Sequence, residues 1–168
     1  MYLCKIASFE EMNRKWDDEI ERHIHDRENW IIWRENALER FQDGSTIPYY
    51  GILDEQIICE ATAAINPEVV QNSERLVGDG AVYLSAFRTI EEYRGKGYFS
   101  KLMKFMLDDL VQKGFTRATL GVEPVEEVNR RIYAHYGFTT YIKRAEEVYP
   151  DKTVITVDYY EKSLGQYR

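Results

Sequence analysis

The spacing of apolar residues changes several times along the chain, and each change marks an element. Tyr2–Ala7 reads as a short strand. Phe9, Met12, Trp16, Ile20 and Ile24 then recur at helical intervals, behind Ser8 and with Glu11 at the capping-box position. A break at Asp26–Glu28 separates this helix from a second, whose stripe is Trp30, Trp33, Ala37 and Phe41 and whose end is Asp43-Gly44. Ile47–Leu53 and Gln56–Ile65 flank the polar turn Asp54-Glu55 and read as a hairpin. Asn66–Gly80, with Pro67, Asn72, Ser73, Gly78 and Gly80, reads as a loop, and Ala81–Ile90 as another strand. The clearest helix follows: Phe99, Leu102, Met103, Met106, Leu110 and Val111 share one face, Lys101, Lys104 and Asp108 the other, and Gly114 ends it. Ala118, Leu120 and Val122 mark a strand. Val125, Val128, Ile132 and Tyr136 mark a last helix stopped by Gly137, and two strands fit Phe138–Tyr149 and Thr153–Leu164.

The order β-α-α-β-β-β-α-β-α-β-β is a mixed α/β layout. It lacks the regular alternation of a doubly wound nucleotide-binding sheet. Its strand–turn–helix–strand middle is a crossover unit, expected to be right-handed. A length of 168 residues fits one domain, 1–168, and 44% hydrophobic residues supply a core. The net charge of -7 argues against nucleic acid and suits a cationic substrate such as an amine. Cys4 and Cys59, the only cysteines, make neither a disulfide framework nor a zinc site. His23 and His25 face different ways on a helix and form no metal pair, so no metal is implied. No signal peptide and no membrane span is expected, and the expected location is cytoplasmic.

The chemistry gathers at Arg94-Gly95-Lys96-Gly97, a basic turn between a strand and a helix. The first turn of a helix carries unpaired N–H groups and the positive end of the dipole, and glycines let the backbone approach a ligand. Such a turn is a phosphate cradle. Neither G-x-x-x-x-G-K-[ST] nor G-x-G-x-x-G is present.

"EYRGKGYFSKLM" resembles the pyrophosphate-binding signature R-x-x-G-x-[GA] of the GCN5-related N-acetyltransferases. Arg94 matches the first position and Gly97 the central glycine, while Phe99 stands where Gly or Ala is usual. Gly121–Phe138 resembles the following strand and helix of that family, closing in Y-x-x-x-G-F at Tyr133 and Gly137-Phe138. Glu126 and Asn129 replace the family's usual Asn and small residue.

The resemblance implies the acyl-CoA N-acyltransferase fold, a centrally splayed mixed sheet of about seven strands flanked by about four helices. It implies acetyl-CoA as cosubstrate and direct transfer of acetyl to a primary amine, on a small molecule or a peptide N-terminus, with a homodimer left open. The cofactor contacts it implies are Phe87, Arg88 and Thr89 on the strand, Arg94, Gly95, Lys96, Gly97, Tyr98, Phe99 and Ser100 on the turn, and Asn129 and Tyr133 on the last helix. Tyr133 takes the family's place for the acid that protonates the departing sulfur. With 13 tyrosines in the chain, a core tyrosine is the alternative reading. An alkylammonium of pKa about 10 needs a base. Glu60, acting through water, is the candidate, with Glu123 another. Two other readings are a catalytically silent acyl-CoA-binding or regulatory module on the same fold, and a binder of a different phosphate ligand.

Overall fold

The computed structural model describes residues 1–165. Seven strands form one sheet in the order β1-β2-β3-β4-β5-β7-β6. They are β1 Tyr2–Ile6, β2 Thr46–Leu53, β3 Gln56–Ala64, β4 Ala81–Thr89, β5 Arg117–Val122, β6 Thr140–Val148 and β7 Val154–Ser163. The helices are α1 Phe9–Arg22, α2 Arg27–Gln42, α3 Tyr98–Gln112 and α4 Glu127–His135. The expected seven strands and four helices are all present, and a short 3-10 turn, Ile24–Asp26, fills the break between α1 and α2.

Local chemistry sets the boundaries. Ser8 Oγ accepts from the Glu11 N–H, and Glu11 Oε1 accepts from the Ser8 N–H, so both halves of the capping box close at the start of α1. Asp54 and Glu55 take positive φ at the β2–β3 turn, as a two-residue hairpin loop requires.

Neighbouring residues of a strand point to opposite faces, and β2 shows which helices lie on which side. Tyr49 joins the cluster of Leu102, Met103, Met106 and Leu110 from α3. Tyr50 joins Met12 of α1 with Trp16, Leu38 and Phe41. Thus α3 covers one face, and α1 with α2 the other. The expected α3 stripe is buried at those four core positions, while Val111 reaches the surface. The α4 stripe departs further from expectation. Val125, just before the helix, and Val128 within it are 84% and 67% exposed, and Ile132 is 43% exposed. Of the expected stripe Tyr136 turns inward, joined by Tyr133, and both pack against the α3-side core.

Two details position the site. β4 and β5 are parallel and pair only from Ala81↔Arg117 to Leu84↔Leu120. β4 continues to Thr89 without β5, so the sheet opens there. The Tyr2 ring crosses β2 at Gly51, where any Cβ would run into its hydroxyl. That hydroxyl donates to the Tyr98 carbonyl at 2.8 Å, pinning the first turn of α3 to the sheet edge.

Candidate active site

The basic turn has the geometry its glycines suggested. Gly95 and Gly97 have φ of +76° and +85°, a region costly for residues with a Cβ, and nothing lies within 4 Å of where a Cβ would stand on either. The glycines are therefore required for backbone shape, and the space beside them is open. The Arg94 N–H is used, donating to the Glu91 carbonyl at 3.2 Å, and the Lys101 N–H donates to Gly97 at 3.3 Å. Between them, the N–H groups of Gly95, Lys96, Gly97, Tyr98, Phe99 and Ser100 find no acceptor among the described residues. An unbroken run of free donors at the positive end of a 15-residue helix has the geometry to receive an anion. The side chains are secondary: Arg94 Nε folds back onto the Thr89 carbonyl at 3.1 Å, and Lys96 Nζ lies over the Tyr93 ring.

β4 carries a feature that no turn residue announced. Glu60 pairs with Arg88 and Thr62 with Ser85, so β4 takes one more residue than β3 over this stretch. The bulge is absorbed at Ala86, a non-glycine residue with φ +59°, a conformation costing about 1–2 kcal/mol. Its effect is to re-aim the residues beyond it. Leu84 and Phe87, three apart, both face α3, and Arg88 faces α1.

Phe87 lies at the opening between β4 and β5. Its ring is 5.3 Å from Tyr133 and 5.7 Å from Phe99, and Phe99 is 6.3 Å from Tyr136. Ser100 Oγ and Tyr136 Oη are 2.7 Å apart, joining α3 to α4. Phe99 thus sends its ring into an aromatic cluster, and its N–H stays free. Tyr133 is half-buried, no described residue hydrogen-bonds its hydroxyl, and burial with the nearby Glu126 carboxylate pushes the phenol up to about 12. Asn129 donates to Glu126, so the two residues that differ from the usual pattern in α4 bond to each other.

Glu60 lies on the opposite face from Tyr133. It pairs with Lys15 at 2.8 Å, both side chains 6% exposed, and Arg88 Nε is 3.9 Å away. Burial pushes its carboxyl up, against the opposing pull of Lys15. Thr89 turns its hydroxyl to Cys59 Sγ at 3.6 Å. Glu123 follows β5, its carboxyl raised by burial and by Glu126. The glycine turn lies at the start of α3, where sequence reasoning put it, and Tyr133 lies beside Phe87. It missed the Ala86 bulge and the partner of Glu60, which comes from a helix 45 residues away in the chain (60 against 15).

Comparison with known proteins gives the same architecture. The model of the acetyltransferase (GNAT) family matches residues 8–138. An N-acetyltransferase from Staphylococcus aureus Mu50 superposes with TM-score 0.67 at 15% identity, covering 98% of this chain and 99% of that one. The ribosomal-protein-S18-alanine N-acetyltransferase of Escherichia coli gives 0.67 at 12%, covering 100% and 97%. The Salmonella typhimurium protein yncA, solved with its cofactor acetyl-CoA, gives 0.67 at 14%, covering 100% and 96%. At these identities the likeness shows the fold. No curated protein matches the chain.

Proposed function

The chain belongs to the acetyltransferase (GNAT) family, and from that premise we propose that it transfers acetyl from acetyl-CoA to a primary amine by direct attack, without a covalent enzyme intermediate. The observation that carries this is the run of free N–H groups from Gly95 to Ser100, set beside the opening between β4 and β5 with Tyr133 at its edge. A pyrophosphate fits that donor set: the N–H groups are uncommitted and the two glycines leave the approach clear.

Acetyl-CoA supplies an activated thioester when bound. The chain supplies the rest. Gly95 to Ser100 hold the pyrophosphate; Phe87, Arg88 and Thr89 offer backbone on the edge of β4 that β5 leaves open; Asn129, through Glu126, orders the start of α4. A backbone N–H near Phe87 or Arg88 meets the negative charge developing on the carbonyl oxygen. The Tyr133 hydroxyl donates to the sulfur. Glu60 lines the acceptor face, and its pairing with Lys15 restricts it to proton removal through water.

Thermal unfolding with CoA, ATP and inorganic phosphate in parallel tests the ligand. CoA at about 100 times its Kd is expected to stabilise by about 2.7 kcal/mol, a rise in Tm of about 5–10 °C for a domain of this size. Equal shifts with phosphate alone would indicate a general anion seat. Thiol release from acetyl-CoA with kanamycin, spermidine, lysine and an alanine-initiated peptide then tests transfer. Saturable CoA binding without turnover on any of them would replace the enzyme with an acyl-CoA-binding module.

A further inference from the structure

A cavity of about 220 Å³ opens between the C-terminal end of α1 and the ends of β3 and β4. The Lys15–Glu60 pair, His23, Arg88 and Thr89 line it. No role proposed above uses His23, yet this ring is held in a specific state. Nδ1 lies 2.8 Å from the main-chain carbonyl of Glu19. A carbonyl oxygen only accepts, so Nδ1 carries a proton, and in the neutral ring the lone pair then lies on Nε2. The ring lies flat on the Trp30 indole, centroids 3.9 Å apart and planes 17° apart. No described residue hydrogen-bonds Nε2.

The neighbouring carboxylate completes the arrangement. Glu19 Oε2 is 3.4 Å from His23 Nδ1 and 3.3 Å from Arg88 Nη2. It is buried, and no described group reaches it with hydrogen-bond geometry. A buried carboxylate oxygen short of a donor is suited to the moment when the imidazole gains positive charge. The indole face favours the same charge. The other charged groups around the ring are Arg22 on α1, Arg88 on β4, the Lys15–Glu60 pair, and Glu91 and Arg94 at the rim.

We propose that His23 is the base that takes the proton from the acceptor ammonium, with Glu19 as its positioning residue, because the same cavity reaches Arg88 on the strand where the acetyl carbonyl is expected. The inference rests on the transferase reading above. Two protons leave the nitrogen. The first passes to Nε2 and on to water, freeing the lone pair that forms the C–N bond. The C–S bond breaks with its electron pair on sulfur, and the second proton ends there. On this inference His23 takes over the proton removal assigned above to Glu60, which lines the cavity with Lys15.

His23→Gln, which cannot take up a proton, tests the role on whichever amine of the panel turns over. The expected kcat at neutral pH falls about 100-fold, with the KM for acetyl-CoA within twofold of the parent. The fall of activity at low pH is expected to disappear. The deficit should shrink as pH nears about 10, where the amine loses its own proton. Glu19→Gln is expected to give a smaller loss with a displaced acid limb. Added imidazole should restore part of the rate of His23→Ala, and a CoA-induced rise in Tm shows that either His23 variant is folded. A His23→Gln enzyme with parental kcat and an intact acid limb overturns the role of His23 alone, as does a deficit constant with pH and indifferent to imidazole. A wild-type chain that acetylates none of the panel overturns the transferase reading, and this inference with it.

Discussion

Replacing Tyr133 with Phe is expected to lower kcat about 100-fold while CoA binding, read by thermal shift, stays within twofold. The hydroxyl has no described partner to lose, so its removal leaves the fold intact and the ring keeps its place beside Phe87. The magnitude follows from the phenol's raised pKa of about 12. Complete transfer of its proton to a thiolate of pKa near 8.5 runs uphill by roughly 3.5 pH units, or about 5 kcal/mol. In the proposed mechanism Tyr133 would therefore act first as a hydrogen-bond donor to the developing charge on sulfur. Its effect belongs at the lower end of the 10²–10⁴ range for acid catalysis. The sign of the shift adds a check. A phenol raised to about 12 stays protonated through the alkaline assay range, so no fall in kcat from its ionisation should appear below pH 10. Rates of Tyr133→Phe within threefold of wild type would remove the hydroxyl from the mechanism.

Lys15→Met is expected to destabilise the fold by about 3–5 kcal/mol, since it leaves the Glu60 carboxylate buried without its main partner. The distance of 3.9 Å to Arg88 Nε softens the loss only slightly. Burial already holds the Glu60 carboxyl above its ordinary value, and removing Lys15 takes away the main opposing influence. A raised carboxyl favours the folded state when protonated and loses that benefit as pH rises through the folded value. The deficit of Lys15→Met should thus be largest near pH 8 and shrink towards pH 5. Urea denaturation at the two pH values measures it. Adding Glu60→Leu should recover much of the loss, because replacing both charges removes the desolvation problem. A deficit that grows on acidification would show that the carboxylate was never the cause.

Much of this was legible in the sequence, for physical reasons. Helix and strand order follow from periodicity. Ser8 with Glu11, and Gly97 before Tyr98, are local signals whose chemistry completes within one turn. What stayed hidden depends on distant parts of the chain. Ala86 adopts a left-handed conformation with no glycine or asparagine to mark it, because the surrounding strands impose it. The α4 pattern gave the right helix and the inward Tyr136, but Val128 and Ile132 are exposed, since they keep helical spacing whether or not anything covers them. Lys15 and Glu60 meet only after α1 has docked on β3. His23 reads as an isolated histidine until Glu19 and Trp30 converge on it and Arg88 pairs with Glu19.

The short pairing between β4 and β5 gives the molecule a seam. On one side, β1 to β4 form an antiparallel meander; on the other, β5, β7 and β6 form a second antiparallel unit. Within the sheet, four residue pairs stitch the two together, all at one end. Under the proposed function, a cosubstrate lying from the Gly97 turn to the open end of that seam would span both units like a clasp. The most sparsely paired line in the sheet would then be the line that a bound cosubstrate bridges.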